Sequence, residues 1–223
     1  MLFLKIKKYI SFIVKPLSRT AFLQQLKEDS KILDVGCGNN SPIRTKLILP
    51  NSEYTGIDIA SYNQSSDFMN SVENYILTTS EKFCDSINNL PQKYDAVVSS
   101  HNLEHVEDRN GVLEAMCKKL KPNGFLYLSF PSMDSVNFPS REGTLNYFDD
   151  ETHKNNPPDF HEVVKIIEAN DLKIIKKTKR NKPLLMNIYG RLIEPFSILK
   201  NKVFQGTWEK WGFETIIIAK KIN

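Results

Sequence analysis

Cysteine is scarce in this chain. Cys37, Cys84 and Cys117 are the only three in 223 residues, and no two form a C-x-x-C pair. That excludes a disulfide framework and a zinc ribbon, and it fits a reducing, cytoplasmic setting. Long apolar runs are missing too, the longest falling far short of the ~18 residues that span a bilayer. The apolar N-terminus has Lys5, Lys7 and Lys8 within it and Lys15, Pro16 and Arg19 just after. A signal peptide needs its charges before the apolar stretch and small residues at a cleavage site, so none is expected. A strong charge of one sign is also lacking, the net charge being +4. The excess is local, at Lys5–Lys15 and in the run Lys176-Lys177-Thr178-Lys179-Arg180, without the interleaved aromatics of a single-strand platform. No nucleic-acid partner is expected. Only nine glycines occur, none in a G-x-x-x-x-G-K-[ST] arrangement, which excludes a P-loop.

What is present is an alternation of strand and helix signals from residue 31 onward. Lys31–Val35 reads as a buried strand, followed by strands at 54–59, 75–79, 94–99 and 124–130. A helix at 109–120, with Val112, Leu113, Met116 and Leu120 on its apolar face, is stopped by Lys121-Pro122-Asn123-Gly124. Asp159 caps a further helix running to about Asn170, before strands at 172–177 and 213–219. Nearly all-apolar strands alternating with helices imply a mostly parallel sheet covered on both faces. Two stretches stand outside that rhythm. Residues 131–158 are long and polar, as acceptor loops and lids are. Residues 182–206 are apolar, helical in part and expected to break at Pro195.

The first strand runs into Gly36-Cys37-Gly38, a tight turn at a strand's carboxyl end where backbone N–H groups can meet a ligand. Asp58 ends the second strand about 20 residues on, placed to accept the two hydroxyls of a ribose. The third glycine of a dinucleotide fingerprint is absent, with Asn40 near its place. Asp34, inside an apolar strand, needs a partner: it orients the turn or meets a ligand's ammonium group. An acid at the head of the turn suits a cationic ligand better than a pyrophosphate.

Ile32–Asn39, Gly56-Ile57-Asp58, residues 94–100 and Leu120–Leu126, in this order and spacing, resemble the successive motifs of the class I S-adenosylmethionine-dependent methyltransferases. The resemblance covers about residues 30–180 and the final strand. It implies a Rossmann-like, doubly wound, seven-stranded sheet whose last strand is antiparallel and inserted between strands five and six. An N-terminal amphipathic helical segment (1–29) would precede a methyltransferase domain (30–223), with 182–206 as an insertion before the last strand. S-adenosylmethionine is then the expected cofactor. Asp34, Gly36, Cys37 and Gly38 would line its methionine and ribose part, with Asp58 on the ribose and Ile59 on the adenine. Ser80 or Glu81 would face the adenine amino group, and Ser100 and His101 the methionine end.

Ser99–Val106 carries an L-E-H-V segment similar to that of methyltransferases acting on quinones, sugars and small metabolites. His101, His105 and His153 are the candidate general bases, because imidazole suits taking a proton from a hydroxyl near neutral pH. Cofactor contact or structural hydrogen bonding is the alternative for each. Glu104 and His105 with a distant acid could hold a metal ion, but a sulfonium is already activated and no metal is expected. Arg141, Glu142, Tyr147, Asp149 and Asp150 offer polar groups for an acceptor. The leading expectation is O-methylation of a small polar or saccharide-linked acceptor, as in polysaccharide biosynthesis. A lipid-linked or quinone-like acceptor at the membrane surface is the alternative, and a non-catalytic partner protein of the same fold is a third. Residues 1–15 or 183–204 could give peripheral membrane contact at the inner face, or a homodimer face.

Overall fold

The computed structural model describes residues 12–61 and 65–222. The expectation for residues 1–11 lies outside them. Phe12–Val14 are helical, and a short helix α1 (Arg19–Leu23) follows, capped by the Ser18 hydroxyl, which accepts from the Ala21 N–H. Ala21, Phe22 and Leu23 of α1 are buried, Phe22 against the Tyr127 ring at 5.2 Å. The N-terminal segment thus packs on the sheet from α1 onward.

Seven strands then form one sheet: β1 (Lys31–Val35), β2 (Glu53–Asp58), β3 (Asn74–Leu77), β4 (Tyr94–Ser100), β5 (Leu120–Pro131), β6 (Leu172–Thr178) and β7 (Glu214–Lys221). Their order is β3-β2-β1-β4-β5-β7-β6, parallel except that β7 runs antiparallel to both neighbours. This is the expected Rossmann-like arrangement, with its switch point between β1 and β4. Leu33, Val35, Val97, Leu126 and Leu128 face one core layer, Ile32, Ala96, Val98 and Tyr127 the other. A sheet buried on both faces reads as continuous apolar strands.

The intervening helices are α2 (Ser41–Ile48), α3 (Ser66–Met69), α4 (Phe83–Asn88), α5 (Arg109–Lys118), α6 (Phe160–Ala169), α7 (Leu184–Lys200) and α8 (Thr207–Trp211). Most expected edges shift by a residue or two, and the larger change lies between α5 and β5. Helix α5 stops at Lys118, two residues early, and β5 begins at Leu120 rather than Gly124. The Lys119 carbonyl accepts from Tyr94 N–H, and Leu120 pairs with Tyr94 ahead of a register shift. The expected break at Pro195 does not occur, since α7 runs through it. The carbonyl that loses its partner is that of Arg191, an exposed residue, where water can take the vacated bond.

Candidate active site

The turn after β1 is built for close approach. Gly36 has φ +73, and a Cβ there would lie 2.4 Å from the Asn102 side chain. Gly38 has φ +55 with open space beside it, so conformation alone selects glycine there. The turn is pinned to β2: Gly36 N–H donates to Ile57 O at 2.9 Å, and Gly38 N–H to Asp58 Oδ2 at 2.7 Å. Asp58 Oδ1 accepts from Ile59 N–H, also at 2.7 Å. Asn40, at the place of the missing glycine, has φ −115 and immediately precedes α2. No left-handed residue is needed there, so the absent glycine leaves the loop intact.

Around this turn lies a cleft of about 780 Å³. Of the residues expected on the cofactor, Gly36, Cys37, Gly38, Asp58, Ile59, Ser80, Ser100 and His101 line it. Asp34 and Glu81 are not among its lining residues. Asp34 is fully buried, its Oδ2 accepting from Arg19 at 2.5 Å and from the Tyr54 hydroxyl, while Oδ1 has no protein partner. Arg19 is held charged there: burial opposes the charge, but the Asp34 carboxylate and Tyr54 outweigh it. Glu81 touches the cleft only through Ser80, whose hydroxyl donates to it at 3.0 Å. Burial, reinforced by the Asp34 and Asp58 carboxylates, pushes the Cys37 thiol far above its usual range, so it is an unreactive wall. Arg44, Asn102, Glu151, Thr152 and Lys154 also line the cleft and were not singled out from the sequence.

His101 sits at φ +52, with its N–H donating to Ser129 O. Both ring nitrogens are taken, Nδ1 by Glu104 at 3.1 Å and Nε2 by Glu214 at 3.0 Å. Burial works against a charged ring, but hydrogen bonds and attraction from the two carboxylates push its pKa up to about 10. The ring stays protonated at neutral pH and packs 5.1 Å from Trp208.

His105 and His153 lie with ring centroids 4.9 Å apart, although 48 residues separate them in sequence. His153 stacks on Tyr147 at 4.3 Å and uses Nδ1 to bond the Tyr147 carbonyl at 2.5 Å. The Thr152 hydroxyl lies 2.9 Å from His105 Nδ1 and 2.6 Å from Asp150 Oδ1. Among the described residues, one group could hold a metal ion: ligand atoms of Glu104, His105 and His153 lie within 4.8 Å of one another. His153 thus stands where a distant acid was expected. Glu104 is fully buried and its Oε2 has no protein partner.

The loop between β5 and α6 contributes less of its acceptor set than expected. Asp149 is a structural clasp, Oδ2 accepting from the N–H groups of Arg141, Leu145 and Asn146. Arg141 is turned into the protein, paired with Glu194 of α7 at 2.8 Å. Glu142 pairs with Lys202 at 2.6 Å, and the Tyr147 hydroxyl bonds Lys154 O at 3.1 Å.

A family model described as a methyltransferase domain matches residues 7–177. The chain belongs to the class I S-adenosylmethionine-dependent methyltransferase family. Its similarity to curated relatives is partial. It is 31% identical over 104 residues to the ubiquinone biosynthesis O-methyltransferase of Photobacterium profundum, covering 44% of this chain and 43% of that protein. With the protein of the same name from Hydrogenovibrio crunogenus it shares 32% over 123 residues, covering 52% and 49%. The matches thus span about half the length of these relatives. A SAM-dependent methyltransferase from Mesorhizobium loti superposes with TM-score 0.61 at 15% identity, covering 91% of this chain and 97% of that one. A SAM-dependent methyltransferase from Archaeoglobus fulgidus gives 0.55 at 20%, covering 98% and 94%. Both share the fold.

The methyltransferase cleft suits this family's cofactor. Ser100 Oγ and Asn102 Nδ2 are buried without a protein partner, and both residues line the cleft beside Gly36. Buried polar atoms left unpaired cost about 1–3 kcal/mol each, which a polar ligand recovers. Asp58 lines the same cleft at the end of β2, its carboxylate held in place by the Gly38 and Ile59 N–H groups.

Proposed function

We propose that this chain transfers the methyl group of S-adenosylmethionine to a hydroxyl oxygen of its acceptor, with His105 as the general base. The observation that carries this reading is the chain Asp150–Thr152–His105. The Thr152 hydroxyl has one hydrogen, and the Asp150 carboxylate can only accept. Thr152 therefore accepts from His105 Nδ1–H, which leaves the lone pair on Nε2. That is the tautomer a base needs, and His105 and Thr152 both line the cofactor cleft. His101, protonated between two carboxylates, is assigned to positioning at the methionine end.

When bound, the cofactor supplies an activated methyl group on a sulfonium. The protein's part is alignment: the Gly36–Gly38 turn and Asp58 orient the donor, and His105 removes the acceptor proton. A hydroxylated ring of quinone type is favoured over a saccharide. The support is that the curated relatives are named for ubiquinone biosynthesis, and that the Trp208 ring lines the cavity beside His101. Nothing in the comparisons speaks for the polysaccharide setting.

A catechol-type acceptor tests the base. His105→Ala is expected to lower kcat by about 10²–10⁴-fold while donor affinity stays within a few-fold. Unchanged kcat would remove His105 from the mechanism.

One observation favours a second reading of the same site. Ligand atoms of His105 and His153 converge with Glu104, whose Oε2 has no protein partner, a set that suits a first-row divalent cation. A cation there would act as a Lewis acid towards the acceptor hydroxyl. Activity lost to a chelator and restored by a divalent metal selects this reading, and activity indifferent to chelation selects the metal-free base.

A further inference from the structure

Helix α7 is amphipathic in the reverse of the usual sense. The side it turns to the protein carries Met186, Gly190, Glu194 and Ser197, one stripe of a 3.6-residue helix. Its seat is mostly polar or backbone. Glu194 bonds Arg141, Lys210 and Trp211 Nε1, and the Ser197 hydroxyl accepts from Arg141 at 2.7 Å. Gly190 lies so close to Gly206 that a Cβ would come within 2.0 Å of its carbonyl oxygen.

The opposite stripe is apolar and faces outward: Leu184 is 74% exposed, Leu192 72%, Phe196 63% and Leu199 76%, with Leu185 and Ile188 about half exposed. An ordinary surface helix places these residues inward. A stripe of this size left in water marks an interaction surface. Arg191 and Lys200 flank it, and the only acid on the helix, Glu194, is buried and paired.

The chain's N-terminal side is tied to the neighbouring helix α8. Lys15 pairs with Glu209 of α8, which packs on α7, and the neighbouring Phe12 and Ile13 are 40% and 67% exposed. The eleven residues before Phe12 contain three lysines and no acid.

Charge decides what covers this surface. In a symmetric pairing of two copies through α7, Arg191 and Lys200 would face like charges, with no exposed acid on the helix to answer them. An anionic bilayer satisfies both halves of the pattern, taking apolar side chains into the acyl boundary and cations at the phosphates. We propose that α7 docks this protein on an anionic membrane surface.

The elements around α7 also reach the site. The loop that seats α7 through Arg141 supplies Glu151, Thr152 and Lys154 to the cleft. Trp208 and Glu209 of α8 share a cavity of about 300 Å³ with Lys15, Ser100 and His101. The elements that seat α7 therefore also line the cleft and the neighbouring cavity. A lipid-borne acceptor is the class this geometry would serve, and that last step alone rests on the methyl-transfer reading.

Co-sedimentation of the full chain with phosphatidylglycerol–phosphatidylcholine vesicles tests the docking without any turnover. Binding is expected with phosphatidylglycerol vesicles, weaker with pure phosphatidylcholine, and decreasing as salt rises. The double variant Leu192→Glu, Phe196→Glu is expected to lose at least about tenfold in partitioning, with donor affinity and circular dichroism unchanged. Arg191→Glu with Lys200→Glu should lose binding to anionic vesicles while leaving the fold intact. No binding by the wild-type chain, or binding indifferent to both pairs of changes, overturns the proposal. So does a wild-type dimer that Leu192→Glu converts to monomer, which would make a second copy the occupant.

Discussion

His101 shows how a single residue is committed by its neighbours. It combines a left-handed backbone, worth about 1–3 kcal/mol of strain, with a ring clamped between Glu104 and Glu214. Its folded pKa lies above the unfolded value near 6.5, so the clamp's stabilisation is full below that value and is lost as pH climbs through about 10. Urea denaturation of wild type and His101→Gln is therefore expected to converge between pH 7 and 10, the wild type losing more of its stability. A ring that titrates near 6.5 by NMR would contradict the clamp. None of this is visible locally in the sequence, because Glu214 lies 113 residues away. Gly36, Gly38 and Asp58 were legible because their requirement is local: two positive-φ positions and a carboxylate at the end of the adjacent strand. Asp34 was legible as an acid needing a partner, but not the identity of that partner, Arg19 on a separate helix.

At the scale of elements, α7 is seated by a buried ion pair rather than by an apolar stripe. Arg141 is 5% exposed and Glu194 8%. Burial alone would raise the Glu194 pKa, but hydrogen bonds from Arg141 and Lys210 hold it below the usual range. Arg141→Ala strands part of that charge and is expected to cost about 3 kcal/mol in chemical denaturation. The paired change Arg141→Met, Glu194→Leu should recover much of it, since two apolar groups leave nothing unpaired. A single variant as stable as wild type would show that the pair does not seat the helix. The strands and capped helices were legible from apolar period and from Asp159, whose carboxylate accepts from His161 and Glu162 N–H. Helix α7 was misread at Pro195 because on an exposed helix face the lost backbone bond is replaced by water.

For the whole molecule, the parallel strands are joined through intervening helices, and β7 slips between β5 and β6 by running antiparallel. That order brings the ends of β1, β2 and β4 to one edge, where the glycine turn, Asp58 and Ser100 meet. The pairing of His105 with His153 depends on how the loop of residues 132–159 folds back over that edge, a packing event no local pattern encodes. The central claim is that this edge binds S-adenosylmethionine. Calorimetric titration of the full chain with that cofactor tests it most directly. Saturable one-to-one binding is predicted, weakened at least about tenfold, or 1.4 kcal/mol, by Asp58→Ala, and unaltered within a few-fold by His105→Ala. No binding, or binding that Asp58→Ala leaves unchanged in a folded protein, would contradict it.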